Sequence, residues 1–227
     1  MTPAARNLAA GGVLVAVVAG ALVGVVFATR GDESVAATMR GAGCTYRDVR
    51  PFPPRDAATA NNYHLDFPTL ATKPHWSTFP PSAGGHYRLW AIWGFYRHPA
   101  NPRMVVHNEE HGGVVLWWDP SATKAMVDRL KAFYDEQPHG VFGTPIAGLG
   151  PKLALTAWTV DPAWKGNVEL AYSKHDYGIG RIAICPRFDQ KAFAAFRDAF
   201  RGKSPQGFPL ALDAPGCGPE TTCPPKR

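Results

Sequence analysis

The chain has 227 residues, 45% hydrophobic and 11% aromatic, enough to bury a sizeable core and too apolar for a disordered chain. Its formal net charge is +6 and its pI about 9.3. The basic residues are scattered rather than set in a stripe, and no nucleic-acid motif accompanies them. A nucleic-acid partner is therefore not expected, and the excess charge fits solubility and attraction to an anionic membrane surface.

After a short tail (1–7), residues 8–28 carry no charge. A helix of that length reaches roughly 30 Å, the thickness of a bilayer's hydrocarbon core. We expect a single N-terminal transmembrane helix with the N-terminus in the cytoplasm. Arg6 stands before it, and Arg30, Asp32 and Glu33 after it, so the flanking charges favour this topology only weakly. A cleaved signal peptide is the rival, but Val26-Phe27-Ala28 matches the small-x-small cleavage pattern poorly. Gly12, Ala16, Gly20 and Gly24 recur every four residues, a small-residue face that would allow a homodimer through the span.

Everything after the span is then expected outside the cytoplasm, at the cell membrane. All four cysteines (Cys44, Cys185, Cys217, Cys223) lie there, an even number that favours disulfides over thiolate ligands. Three pairings exist; Cys44–Cys185 together with Cys217–Cys223 is the expected one.

Residues 29–62 read as a spacer and arm, and 63–203 as an extracytoplasmic α+β domain with a small, mostly antiparallel sheet covered on one face by about two helices. Pro80-Pro81-Ser82-Ala83-Gly84-Gly85 is a loop by composition. His86–Tyr96 is aromatic-rich and strand-compatible, and Val105–His107 and Val114–Trp118 read as two further strand segments. Asp119-Pro120 starts a helix with apolar residues at Met126, Leu130, Phe133 and Tyr134, stopped by Pro138 and Gly140. Leu153–Val160, Val168–Tyr172 and Arg181–Cys185 are candidate strands. A second helix starts near Asp189 with Ala192, Phe193, Phe196, Ala199 and Phe200 on one face, and Gly202 follows it. Residues 204–227 form a Pro/Gly-rich tail.

The ionisable chemistry concentrates in His107-Asn108-Glu109-Glu110-His111, followed by Gly112-Gly113. On a helix, His107 and His111 would share one face and could share a zinc ion. His-x-x-Glu-His is also the order of inverted zinc peptidases, with the glutamate as general base. The strand-like valines and the immediate glycines argue against a helix. In an extended strand the two Cα atoms would stand about 13 Å apart, so a shared site needs a tight turn. His86, after its Gly-Gly loop, is the expected partner, and His75 precedes Trp76 nearby. Three imidazoles suit Zn²⁺ or Cu²⁺, and the Met104 thioether would tilt the choice to copper. The plainer alternative is a pair of turn histidines whose hydrogen bonds Glu109 or Glu110 accepts. His64, His98, His139 and His175 carry no supporting context.

The loop Pro80–Tyr87, Trp93-Gly94-Phe95-Tyr96, Val106–Gly113 and Thr156-Ala157-Trp158 together resemble the motifs of an uncharacterised group of membrane-anchored bacterial proteins, domain of unknown function 3105. The resemblance spans about His75 to Arg201. It implies a fold, an anchor and an address, and no established activity. Ala83 stands where that family has serine, and Glu109 replaces an apolar residue.

The leading expectation is a membrane-anchored extracytoplasmic domain that binds copper or zinc through His86, His107, Glu110 and His111. The alternatives are a metal-dependent hydrolase with Glu110 as general base, and a non-catalytic scaffold. In the last, an aromatic surface (Trp90, Trp93, Trp117, Trp118) would dock an envelope protein partner.

Overall fold

The structure, a computed structural model, describes residues 34–52, the backbone of 64–65, and residues 76–164 and 178–205. The expected span over 8–28, the strand over Val168–Tyr172 and the tail cysteines Cys217 and Cys223 lie outside the described residues. Among the described residues no helix is long and apolar enough to cross a membrane.

The elements run in the order α1 (34–41), β1 (Thr45–Val49), β2 (His64–Leu65), β3 (His86–Tyr87), α2 (Pro102–Glu110), β4 (Val114–Trp118), α3 (Lys124–Glu136), β5 (Val141–Pro145), β6 (Leu153–Thr159), β7 (Ile179–Cys185) and α4 (Gln190–Phe200). Five strands form one sheet in the order β1-β7-β6-β4-β5. Only the β4–β5 pair is parallel, and α3 connects those two strands. The short strands β2 and β3 pair in parallel apart from it, with His64 opposite His86. The α+β class and the mostly antiparallel sheet are as expected; the described helices number four rather than two.

Period-two alternation sends successive residues of β4 to opposite faces. Val114, Leu116 and Trp118 enter a core with Leu130 and Phe133 of α3, Phe193, Phe196 and Phe200 of α4, and Val35 and Met39 of α1. Val115 and Trp117 enter a second core with Phe142, Tyr87, Ala91, Met104 and Val105. The sheet is thus covered on both faces, a correction to the one-sided packing expected. Because both faces are buried, β4 and β6 are buried along their whole length, and full burial of each large apolar side chain contributes roughly 1.5–3 kcal/mol.

Local chemistry explains most boundaries. The Asp189 side chain accepts from Ala192 N at 2.9 Å and starts α4 where expected. Helix α3 starts later than expected, capped by Thr123, which accepts from Met126 N. Asp119 is instead spent on loops. One oxygen accepts from the Ser121 amide and hydroxyl, the other from the amides of Gly148, Leu149 and Gly150. Between His86 and Tyr96 only His86–Tyr87 is strand.

The described part of the arm, residues 34–52, is structured. Val35, Met39 and Ala42 pack into the core, β1 pairs antiparallel with β7, and a disulfide joins Cys44 to Cys185 across 141 residues. That pairing is the expected one. Trp117 and Trp118 are buried, at 0% and 5% exposure, so they cannot belong to an aromatic docking surface.

A candidate metal centre

The segment carrying the histidine–glutamate cluster is a helix, α2, and not a strand and turn. The Asn101 side chain accepts from Arg103 N at 3.0 Å, and Pro102 opens the helix, where a missing amide hydrogen costs nothing. Met104 and Val105 reach the second core and Val106 a small cluster with Ala83 and Trp158, so burial outweighs the strand preference of the two valines. At the other end Gly113 N donates to Asn108 O at 2.9 Å and Gly112 N to Glu109 O at 2.8 Å. This is a Schellman cap, with Gly112 at a φ of 85° and His111 as the C-cap residue. The glycines do end a helix, and that helix holds His107 and Glu110.

His86 comes from a loop pinned against α2. Trp76 Nε1 donates to Gly85 O at 2.9 Å, Thr78 Oγ1 donates to Pro80 O at 2.8 Å, and Thr78 and Ser82 hydroxyls meet at 2.9 Å. Ala83 packs on Val106 and Trp158. Asn108, fully buried, accepts from Ala91 N and donates to Ala91 O, both at 2.9 Å. That pair of hydrogen bonds fixes the chain beside Trp90, whose ring lies 5.3 Å from His107 and 5.6 Å from His111 between centroids.

Three side chains from these two elements converge. One ligand atom each of His86, His107 and Glu110 lies within 4.8 Å of the others, and all three residues are buried. His86 Nδ1 is 2.7 Å from Gly84 O, and His107 Nδ1 is 2.6 Å from Tyr87 O. A carbonyl only accepts, so each Nδ1 carries the hydrogen and Nε2 is the atom each ring presents to the cluster. Glu110 Oε2 faces His86 Nε2 at 3.1 Å. A carboxylate oxygen and an imidazole lone pair repel unless a proton or a cation lies between them. Backbone carbonyls that fix the tautomer of ligating histidines are also a recurring feature of metal sites.

Burial holds the His107 imidazole down to about 3 from an ordinary 6.5, His86 and His111 act in the same sense, and Glu110 and the Tyr87 carbonyl oppose it. His107 is therefore neutral and able to ligate at neutral pH. His111 stands beside the converging three rather than among them. Its Nε2 is 2.8 Å from His107 Nε2, the two rings stack at 4.7 Å, and it is only half-buried. Trp158 closes the inner side, its ring 5.7 Å from His86.

Two neighbours read from the sequence go elsewhere. Met104 lies 1% exposed in the second core. Glu109 is fully buried with neither carboxylate oxygen hydrogen-bonded. Burial pushes its carboxyl well above 4.5, and the Thr156 hydroxyl near it acts in the opposite sense. His98 and His139 are exposed, while His75 and His175 lie outside the described residues. Gly84 belongs to the Gly-Gly loop read from the sequence, but the positioning partners Tyr87 and Ser204, whose Oγ donates to Glu110 O at 2.6 Å, left no local signal, because they act through a backbone oxygen or across 94 residues.

Residues 70–206 match the family model described as protein of unknown function (DUF3105). The chain belongs to this family. No curated protein and no solved structure matches it.

Proposed function

We propose that this member of the DUF3105 family binds a divalent transition metal, zinc or copper, through His86, His107 and Glu110, with His111 beside them. The observation that carries the reading is the convergence of three buried ligand atoms within 4.8 Å, two of them imidazole Nε2 atoms turned inward by the carbonyls that hold each Nδ1. Nitrogen and carboxylate donors suit Zn²⁺ and Cu²⁺. The burial of Met104 in the core removes the thioether that would favour Cu⁺.

The domain is placed outside the cytoplasm on the membrane in this reading. The Cys44–Cys185 disulfide is compatible with such an oxidising location, and the uncharged run 8–28 would supply the anchor. Elemental analysis of the purified full chain tests the metal: one equivalent is expected, falling below a tenth in His107→Ala and Glu110→Ala. Absence of stoichiometric metal after reconstitution with Zn²⁺ and with Cu²⁺ overturns the reading.

A second reading is metal-dependent hydrolysis with Glu110 as general base. It is favoured by the helix, which gives His107-x-x-Glu110-His111 the backbone that inverted zinc peptidases require. It differs in leaving Glu110 off the metal. The spectrum of the Co²⁺-substituted protein separates the two: Glu110→Gln changes it if Glu110 is a ligand and leaves it unchanged if Glu110 is a base.

A further inference from the structure

The four polar groups of the cluster differ sharply in their access to solvent. His86 and Glu110 are 0% exposed and His107 is 3%, whereas His111 and Trp90 are half-buried. Each buried group is also held from outside the cluster: His86 by Gly84 O, His107 by Tyr87 O, and the Glu110 backbone by Ser204. His111 is the C-cap residue, past the last helical residue and in front of Gly112. Its Nε2 lies 2.8 Å from His107 Nε2, a distance that a shared ion crosses with little movement. The Trp90 ring lies against both imidazoles.

Resting on the metal-binding reading, we propose that His111 is the exchange ligand of the centre, the group through which a hydrated divalent ion reaches the buried three and leaves them. In the metal-free cluster the His111 Nε2 hydrogen faces the His107 Nε2 lone pair; exchange with solvent moves that hydrogen to His111 Nδ1, and the freed Nε2 lone pair displaces one water from the aquo ion. His107 Nε2 then displaces a second, and the ion moves inward as His86 and Glu110 replace further waters, any proton held between those two passing to solvent. Release runs the same steps backward. The centre on this account is built to load and unload, with three ligands supplying affinity and the fourth supplying the rate.

This assignment differs from that of an ordinary fourth ligand in a measurable way. Removing an ordinary ligand speeds release and weakens binding while uptake barely changes. Removing an exchange ligand slows uptake and release together, so the equilibrium moves little. The test mixes the full chain, in detergent micelles, with Cu²⁺ in a stopped-flow instrument. Quenching of tryptophan fluorescence reports arrival, since Trp90 and Trp158 flank the imidazoles, and chase with excess EDTA reports release. His111→Ala is expected to slow both rates by about tenfold and change Kd less than about threefold, against a loss of affinity of at least about tenfold for His107→Ala, the scale of ligand-shell effects.

His111→Asn, which suits a helix end, repeats the measurement in case alanine disturbs the cap. Unchanged uptake with faster release in both variants, or uptake and release both unchanged, overturns the proposal and leaves the metal site standing. A wild-type chain that takes up no Cu²⁺ overturns the metal-binding reading and this proposal with it.

Discussion

His86 and Glu110 meet at 3.1 Å, Nε2 to Oε2, with both side chains wholly removed from water. One comes from a glycine-rich loop and the other from the last turn of a helix, 24 residues on. A buried pair of this kind is expensive to isolate from solvent, and its persistence needs something to hold the two groups in register. The Gly84 carbonyl on one side and Ser204 on the other do so.

In the metal-free protein, His107 sets a pH dependence. Its folded value of about 3 lies below the ordinary 6.5, so between those values the unfolded chain binds a proton that the native state does not. Stability is complete above 6.5 and falls as pH drops toward 3, by up to about 1.4 kcal/mol per unit from this group. Urea unfolding in EDTA at pH 4, 5, 6 and 7 should show that slope reduced in His107→Gln.

Glu109 acts in the opposite direction. Burial raises its carboxyl above 4.5, so above that pH the unfolded chain sheds a proton that the folded chain keeps. Its contribution is complete below 4.5 and is lost as pH rises toward its folded value. Glu109→Met, which removes an unpartnered buried carboxyl, should be about 1–3 kcal/mol more stable than wild type at pH 7.5, with a smaller gain at pH 4. Denaturant titrations at the two pH values give the difference.

Asn108→Ala strands the amide and carbonyl of Ala91, which the asparagine satisfies now. Each buried group left unsatisfied costs about 1–3 kcal/mol. The same change should loosen the chain under Trp90, read as a red shift of tryptophan emission together with the lower unfolding midpoint.

Replacing Cys44 and Cys185 by alanine frees a loop of 141 residues in the unfolded chain. The loss expected is about 2–5 kcal/mol, measured by denaturant unfolding against the oxidised wild type. Non-reducing peptide mapping should recover the two cysteines in one cross-linked fragment.

Much of the sheet and two helices could be read from residues alone. Val114–Trp118 and Leu153–Thr159 are apolar runs of strand length, and Asp189 with the phenylalanine stripe behind it announces α4. Helix α2 was hidden because Val105 and Val106 prefer strands, although Asn101-Pro102 and Gly112 are a helix's start and stop signals on either side of them. The arm was legible as an arm, but its helix α1 and strand β1 were hidden by its Ala/Gly/Arg composition. Yet Val35, Met39 and Ala42 recur at helical spacing and are the residues that reach the core. Strand β5 contains a glycine at its centre, Gly143, where Phe95 packs against the backbone, and such a strand has a weak signature of its own.

At the site, residue types identified His86, His107 and Glu110 because imidazoles and carboxylates are rare in apolar surroundings. The separation of His111 from the other three depends on where the helix ends and how far the C-cap ring reaches. Glu109 falling outside the cluster that holds Glu110 follows from the roughly 100° step between adjacent helical residues, which becomes decisive only once the helix is known.

The cross-link between Cys44 and Cys185 also separates the unit of resemblance from the unit of folding. The family match covers 70–206 and so includes only one of the two sulfurs. A fragment cut at those limits would present β7 as a bare sheet edge, leave Cys185 as a lone thiol, and open a void where Met39 and Tyr46 now pack against α4. For this protein the smallest piece that can be expected to stand alone starts upstream of the region its relatives share, at α1.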